Sequence, residues 1–300
     1  MAPVIALGPD SDAAAVAAVE AGGGRLGPLE EADALVWIDP LAGDLPRLPA
    51  RVRWLQLPSA GVERWIDGLP DGPVVTSMAG AYAQPVAEHA LALILAALHR
   101  LAESARAGEW TELRDRTRSL EGTTVAIVGA GGIGRALIEM LAPLRCRVLA
   151  VTRRGRSVPG AERTVAAERV EEVLGEADVV VLAAPGTPGS RQLMDARRLA
   201  AMRPGARLVN VGRGSLVDTD ALVAALASGH LGGAALDVTD PEPLPAGHPL
   251  WSHPNVLITP HTATAPEAEC RHAAERIRAN VERFAAGEPP LGVFDARAGY

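Results

Sequence analysis

Short apolar runs alternate with longer stretches of helical periodicity along most of the chain, the pattern of an α/β architecture. In the first hundred residues "PVIAL", "ALVWI", "VRWLQL" and "PVVTS" read as strands. Between the first two, "DSDAAAVAAVEAGG" predicts a helix opened by Asp/Ser and stopped by glycines. "QPVAEHALALILAALHRLAESARAG", Gln84 to Gly108, is too long for a strand. With acid near its start, base near its end and a terminal glycine, it predicts one long helix. From Thr123 a second series follows: "TVAIVG", "RVLAVT", "DVVVLAAP", "ARLVNVG", "GAALDV" and "NVLITP". Several are apolar at consecutive positions, as in parallel strands buried on both faces. "EAECRHAAERIRANVERFAAGE", Glu267 to Glu288, predicts a final helix, and the tail beyond it shows little regular pattern.

Composition narrows the chemistry. Three hundred residues suffice for two domains, and 48% hydrophobic with 22% charged residues is globular composition. A net charge of −7 argues against a nucleic-acid surface. Cys146 and Cys270 build no disulfide framework, and no metal-type Cys/His spacing occurs, so no metal is expected. The N-terminus lacks the pattern of a signal peptide, and the apolar run Ala90 to Leu98 is about half of what a membrane span needs. These features predict a soluble, cytoplasmic protein without nucleic-acid or membrane partners. All 29 basic residues are arginine. The absence of lysine excludes Schiff-base chemistry, pyridoxal-phosphate attachment and a P-loop, each of which needs that amine.

"VAIVGAGGIGRALIEML" sets Gly129, Gly131 and Gly134 as G-x-G-x-x-G between a strand and a helix. Such glycines permit a tight turn, close approach of backbone to a pyrophosphate, and close helix–strand packing, while the helix N-terminus attracts phosphate. This context predicts dinucleotide binding. An acid is expected about twenty residues on, where it would bond the ribose 2′-OH of NAD. Thr152, 18 residues after Gly134, and then Arg153 and Arg154 stand there instead. A carboxylate would repel a 2′-phosphate, whereas guanidinium groups bind one through forked donors. NADP is therefore the expected cofactor, with NAD as the secondary one; an exposed basic turn is the plain alternative.

Three further strand ends carry candidate chemistry. Arg213 lies between Gly212 and Gly214 just past "ARLVNV". Asp237 ends "GAALD", Glu242 sits in the proline-rich turn beyond, and His261 follows Pro260 after "NVLIT". In a parallel sheet the ligand crevice lies outside the carboxyl ends of the strands, so these residues should share one edge with the glycine turn. His89, His99, His230, His248, His253 and His272 lack that placement and read as structural.

At this point the cofactor half resembles the D-isomer-specific 2-hydroxyacid dehydrogenase family, through "TVAIVGAGGIG", "MRPGARLVNVGRGSLVDTDALVAAL", "GGAALDVTDPEPLPAGHPLW" and "NVLITPHTA". "LQLPSAGVERW" and "QPVAEHALALILAALHR" are similar to its substrate loop and linker helix, so the resemblance runs from about Arg53 onward. It implies a catalytic Arg213, Glu242 and His261, with Asp237 holding the nicotinamide carboxamide. It implies cofactor contacts at Gly129, Gly131, Gly132, Ile133, Gly134, Thr152, Arg153, Arg154, Pro185, Val211, Gly212, Arg213, Asp237 and His261. Ser59, Ala60 and Gly61, with Arg213, become the substrate-binding set, the small loop residues suiting capture of a carboxylate by backbone N–H groups. Thr152 in place of the acid of NAD-linked members, and Thr239 in place of an aromatic, point to the glyoxylate/hydroxypyruvate reductase branch.

The implied fold has two α/β domains. A flavodoxin-like substrate domain comprises residues 1–98 plus 272–300, and a Rossmann domain, 99–271, is inserted into it, with the active site expected in the cleft between them. The implied reaction is hydride transfer between NADP(H) and a small 2-oxo or 2-hydroxy acid, in a homodimer formed through the Rossmann domain. His261 would act as acid, a neighbouring Glu242 favouring its protonated form. The alternative is a non-catalytic dinucleotide-sensing scaffold of the corepressor kind.

Overall fold

The computed structural model describes residues 1–295; the end of the tail, 296–300, lies outside the described residues. The chain forms two compact units, one of Met1–Tyr82 with the described residues from Ala265 onward, the other of Ala83–Thr264.

The first unit opens with strand β1 (Val4–Gly8), helix α1 (Ala13–Ala21) and strands β2 (Arg25–Leu26), β3 (Ala34–Trp37), β4 (Trp54–Gln56) and β5 (Val74–Thr76). All pair in parallel in the order β2-β1-β3-β4-β5, the doubly wound flavodoxin-like order. Asp12 caps α1 by accepting from the Ala15 N–H at 2.7 Å, and Gly22 ends it.

The second unit begins with α2 (Ala83–Leu98), α3 (Leu101–Arg106), β6 (Thr124–Val128), α4 (Gly132–Leu141), β7 (Arg147–Thr152) and β8 (Arg163–Ala166). It continues with α5 (Glu171–Leu174), β9 (Val179–Leu182), α6 (Ala196–Ala201), β10 (Arg207–Asn210), α7 (Thr219–Ala227), β11 (Gly233–Leu236), α8 (Pro249–Ser252) and β12 (Val256–Ile258). Seven parallel strands run in the order β12-β11-β10-β9-β6-β7-β8. This is the Rossmann order with a seventh strand, and its direction of winding switches between β6 and β9. Successive residues of β6 face opposite cores: Val125 and Ile127 pack with α2 and α4, Ala126 and Val128 with the helices of the other face. That explains the consecutive apolar positions in the sequence.

Helix α9 (Pro266–Ala286) returns to the first unit, where Ile277 and Val281 pack with Ile5, Val19 and Trp54. A Cβ on Gly22 would meet the Arg278 carbonyl oxygen at 2.8 Å, so only glycine lets the end of α1 approach α9 this closely.

Two expectations need correction. The single helix over 84–108 is two helices, because Arg100 adopts φ 56 in the left-handed region. Its guanidinium bonds Glu103 at 2.6 Å and the Asn255 side chain, tying the break to the edge of the sheet. The units also divide at Tyr82/Ala83 and Thr264/Ala265, earlier than residues 98 and 271. The reason is packing: α2 buries Ala87, Ala90, Leu93 and Ile94 with Leu137 and Leu141 of α4 in the core of the second unit.

Candidate active site

Because all strands of the second sheet are parallel, everything following a strand emerges at the same carboxyl edge. That edge carries the glycine turn after β6, Thr152 to Arg154 at the end of β7, Pro185 after β9, Val211 to Arg213 after β10, Asp237 after β11 and His261 after β12.

The three glycines of the turn meet different surroundings. Gly129 has φ +100 and a Cβ there would lie 2.5 Å from the Ala184 nitrogen, at the switch between β6 and β9. A Cβ on Gly134 would lie 2.7 Å from the Gly129 carbonyl oxygen, so that glycine brings α4 onto the turn. A Cβ on Gly131 would meet nothing within 4 Å. Gly131 caps α4 without any side-chain bond, so the first N–H groups of the helix, at Gly132 and Ile133, have no side-chain cap, and the space beside Gly131 is open. Open space in front of a helix N-terminus, with no side chain in the way, fits a pyrophosphate, so the residues present suit a dinucleotide.

Beyond β7, Gly155 takes φ +68 and its N–H reaches back to the Thr152 carbonyl at 3.4 Å, turning the chain at once. Arg153 and Arg154 are exposed on that turn, and among the described residues no hydrogen bond or ion pair holds either guanidinium. The Thr152 hydroxyl donates to the Arg156 carbonyl at 3.4 Å.

The turn carrying Arg213 is braced by a residue that sequence reasoning missed. Asn210, 1% exposed, donates from Nδ2 to the Arg213 carbonyl at 2.8 Å and accepts the Gly212 N–H at 3.1 Å. A Cβ on Gly214 would lie 1.8 Å from the Thr239 carbonyl oxygen, so glycine there is what lets the β10 and β11 loops touch. Glu242 accepts the Thr239 N–H at 3.4 Å through Oε2, and its Oε1 lies 2.6 Å from Nδ1 of His261. A carboxylate only accepts, so the Nδ1 of this pair carries hydrogen and donates, and Nε2 is left pointing to the other side of the ring.

His261 itself is held in an unusual conformation, φ +53, at a cost on the order of 1–2 kcal/mol for a residue with a Cβ. Its N–H donates to the Asp237 carbonyl at 2.8 Å and to that of Thr259 at 2.9 Å. Asp237, 2% exposed, secures the rest of the turn. Its Oδ1 accepts the Thr259 hydroxyl at 2.6 Å and the Thr262 N–H at 2.9 Å, and its Oδ2 the Ala263 N–H at 3.3 Å. His89 of α2 completes the group, with Nε2 3.0 Å from the Thr259 hydroxyl and 3.3 Å from Asp237 Oδ1. Burial works against the charged Asp237, but the bonds from His89, Thr259 and Thr262 outweigh it and hold its carboxyl below the ordinary value.

The helical pattern around His89 predicts a merely structural residue, and the structure gives it these partners instead. Only its helical position was visible in the sequence, and nothing there signals a partner 148 residues further on. Ser59, Ala60 and Gly61 belong to the first unit, just past β4. The Ser59 hydroxyl donates to the Gly61 carbonyl at 2.5 Å, and the Ser59 carbonyl accepts the Met78 N–H at 2.9 Å.

The NAD-binding-domain model of the D-isomer specific 2-hydroxyacid dehydrogenases matches residues 90–263, more than half of the chain. The chain belongs to this family. An uncharacterized protein of Corynebacterium melassecola is 43% identical over 295 residues, 95% of each chain. Glyoxylate/hydroxypyruvate reductase A of Serratia proteamaculans is 33% identical over 238 residues, covering 77% of this chain and 74% of its own length. A D-isomer specific 2-hydroxyacid dehydrogenase from Xanthobacter autotrophicus Py2, solved with NADPH and MES, superposes with TM-score 0.86 at 32% identity over the whole of both chains. This dehydrogenase is thus an NAD(P)-dependent oxidoreductase of the 2-hydroxyacid dehydrogenase type, and a non-catalytic sensing role is not favoured. Among the described residues of this dehydrogenase no group of three His, Cys, Asp or Glu could hold a metal ion, and no helix is long and apolar enough to cross a membrane.

Proposed function

We propose that the enzyme reduces a small 2-oxo acid of the glyoxylate or hydroxypyruvate kind with NADPH as the preferred cofactor. The observation that carries the reading is the His261–Glu242 pair, 2.6 Å apart on the sheet edge that also bears the glycine turn. The substrate class draws support from the reductase of Serratia proteamaculans, and the cofactor preference from Arg153 and Arg154 standing where an acid would serve NAD.

The N–H groups at the start of α4 would hold the pyrophosphate, Thr152, Arg153 and Arg154 the 2′-phosphate, and Pro185, Val211, Gly212 and Asp237 the nicotinamide end. Once bound, the cofactor supplies a hydride for the carbonyl carbon. Arg213 holds the substrate carboxylate and polarises the carbonyl oxygen through its forked donors. Negative charge developing on that oxygen needs a proton, which His261 delivers from Nε2 while Glu242 keeps hold of Nδ1 and stabilises the cationic ring. The loop at Ser59, Ala60 and Gly61 is proposed to receive the carboxylate through backbone N–H groups.

The decisive experiment follows NADPH and NADH oxidation against a panel of 2-oxo acids. Turnover of glyoxylate or hydroxypyruvate with a preference for NADPH supports the reading; no turnover of any acid overturns it. Family membership also supports a homodimer formed through the dinucleotide-binding unit and a cytoplasmic place of action, which sedimentation and cell fractionation test.

A further inference from the structure

His89 takes no part in the chemistry just described, yet it is joined to His261 by continuous contacts. The Thr259 hydroxyl has one hydrogen, and at 2.6 Å from Asp237 Oδ1 it donates it to that acceptor-only carboxylate. Thr259 therefore meets His89 Nε2, 3.0 Å away, with a lone pair, so Nε2 of His89 carries the hydrogen whatever the charge of the ring. The same Nε2 stands 3.3 Å from Asp237 Oδ1. Asp237 in turn binds three consecutive backbone N–H groups: that of His261 on its carbonyl at 2.8 Å, and those of Thr262 and Ala263 on its carboxylate at 2.9 and 3.3 Å.

The backbone so gripped is the left-handed one, φ +53 at His261, that a non-glycine residue leaves readily unless its surroundings hold it. If the Asp237 carboxylate rotates, two of the three N–H bonds go with it. His89 and Thr259 are the side chains that fix that rotation, and His89 does so from α2, an element outside the β11 and β12 loops.

We infer that His89 is a positioning residue which, through Thr259 and Asp237, sets the direction in which His261 presents Nε2. The inference rests on the reading of His261 as the proton donor. It assigns α2 a part in turnover beyond covering the sheet: loss of the His89 N–H leaves the Thr259 lone pair unmatched and Asp237 one donor short, and the proton donor drifts from line.

The test compares His89→Leu, which removes the donor, with His89→Gln, whose amide N–H reaches the same place, in steady-state assays with NADPH and glyoxylate or hydroxypyruvate. His89→Leu is expected to lower kcat roughly 10- to 100-fold, the scale of a misplaced catalytic group, with little change in KM. His89→Gln restores most of it. In a His261→Ala background His89→Leu costs nothing further, because the residue it aims is gone. Should His89→Leu not fold, Thr259→Val breaks the same link from the other side and is expected to give the same pattern. Unchanged kcat in His89→Leu, absence of rescue by glutamine, or a full additional loss in the His261→Ala background overturns the inference. Undiminished turnover in His261→Ala alone overturns instead the reading of the site, and this inference with it.

Discussion

Glu242 Oε1 and His261 Nδ1 lie 2.6 Å apart although the two residues follow different strands, β11 and β12. The contact exists because the neighbouring parallel strands deliver both loops to one edge, and because Asp237 folds the His261 backbone back over the β11 turn. His261→Ala is expected to cut kcat by roughly 10² to 10⁴, the range of general acid–base contributions, with the thermal midpoint little changed because the ring is largely exposed. Glu242→Gln keeps an acceptor near Nδ1 but removes the charge, and a smaller fall is expected. Steady-state kinetics with melting curves checks both.

Arg153 and Arg154 are exposed and free of internal partners among the described residues, so they can be removed without cost to the fold. Replacing both by alanine is expected to weaken NADPH by about one to three decades, at roughly 1.4 kcal/mol per decade, and to leave NADH nearly untouched. Thr152→Asp should add repulsion to the 2′-phosphate and tilt preference toward NADH. The measurement is kcat/KM for both cofactors. A wild-type preference for NADH would reduce the arginines to an exposed turn.

The glycines of the cofactor turn separate folding from binding. A Cβ on Gly131 meets nothing within 4 Å, so Gly131→Ala should melt like wild type yet bind cofactor roughly tenfold or more weakly, its methyl standing where the pyrophosphate must approach. Gly134→Ala places a Cβ 2.7 Å from the Gly129 carbonyl oxygen and should cost about 1–3 kcal/mol of stability. Denaturant unfolding and cofactor titration distinguish the two. Equal behaviour would contradict the assigned roles.

Asp237 makes a prediction about pH. Its carboxyl is held below the ordinary 3.8 in the folded protein, so the unfolded chain takes up the proton first as pH falls. The stabilisation it contributes is complete above about pH 4 and fades as pH drops through the folded value. The stability difference between wild type and Asp237→Asn should therefore shrink as pH falls below about 4. A difference that keeps growing below about pH 4 would mean that the carboxylate is not held charged in the folded protein.

Local and periodic features are legible in the chain before it folds. Consecutive apolar positions in β6 and β9 mark strands buried on both faces, because such strands have no solvent side on which a polar residue could alternate. Glycine spacing located the turn, because each glycine answers a backbone requirement that no other side chain meets, and the run from Thr152 to Arg154 stood out because charge is visible in a sequence. Strand-end placement sufficed to gather Arg213, Asp237, Glu242 and His261 on one edge once the sheet was taken as parallel. Other features arise from long-range packing. The break at Arg100 comes with a bond to Asn255, far along the chain, which no local periodicity reports. The allegiance of α2 to the second unit follows from its packing on α4, and an apolar helix face is the same in sequence whichever core receives it. Asn210 looked like the end of a strand and His89 like one more helical histidine. Their work is done by hydrogen bonds to an adjacent turn and to Thr259 and Asp237, contacts whose directions exist only after the strands and helices are packed.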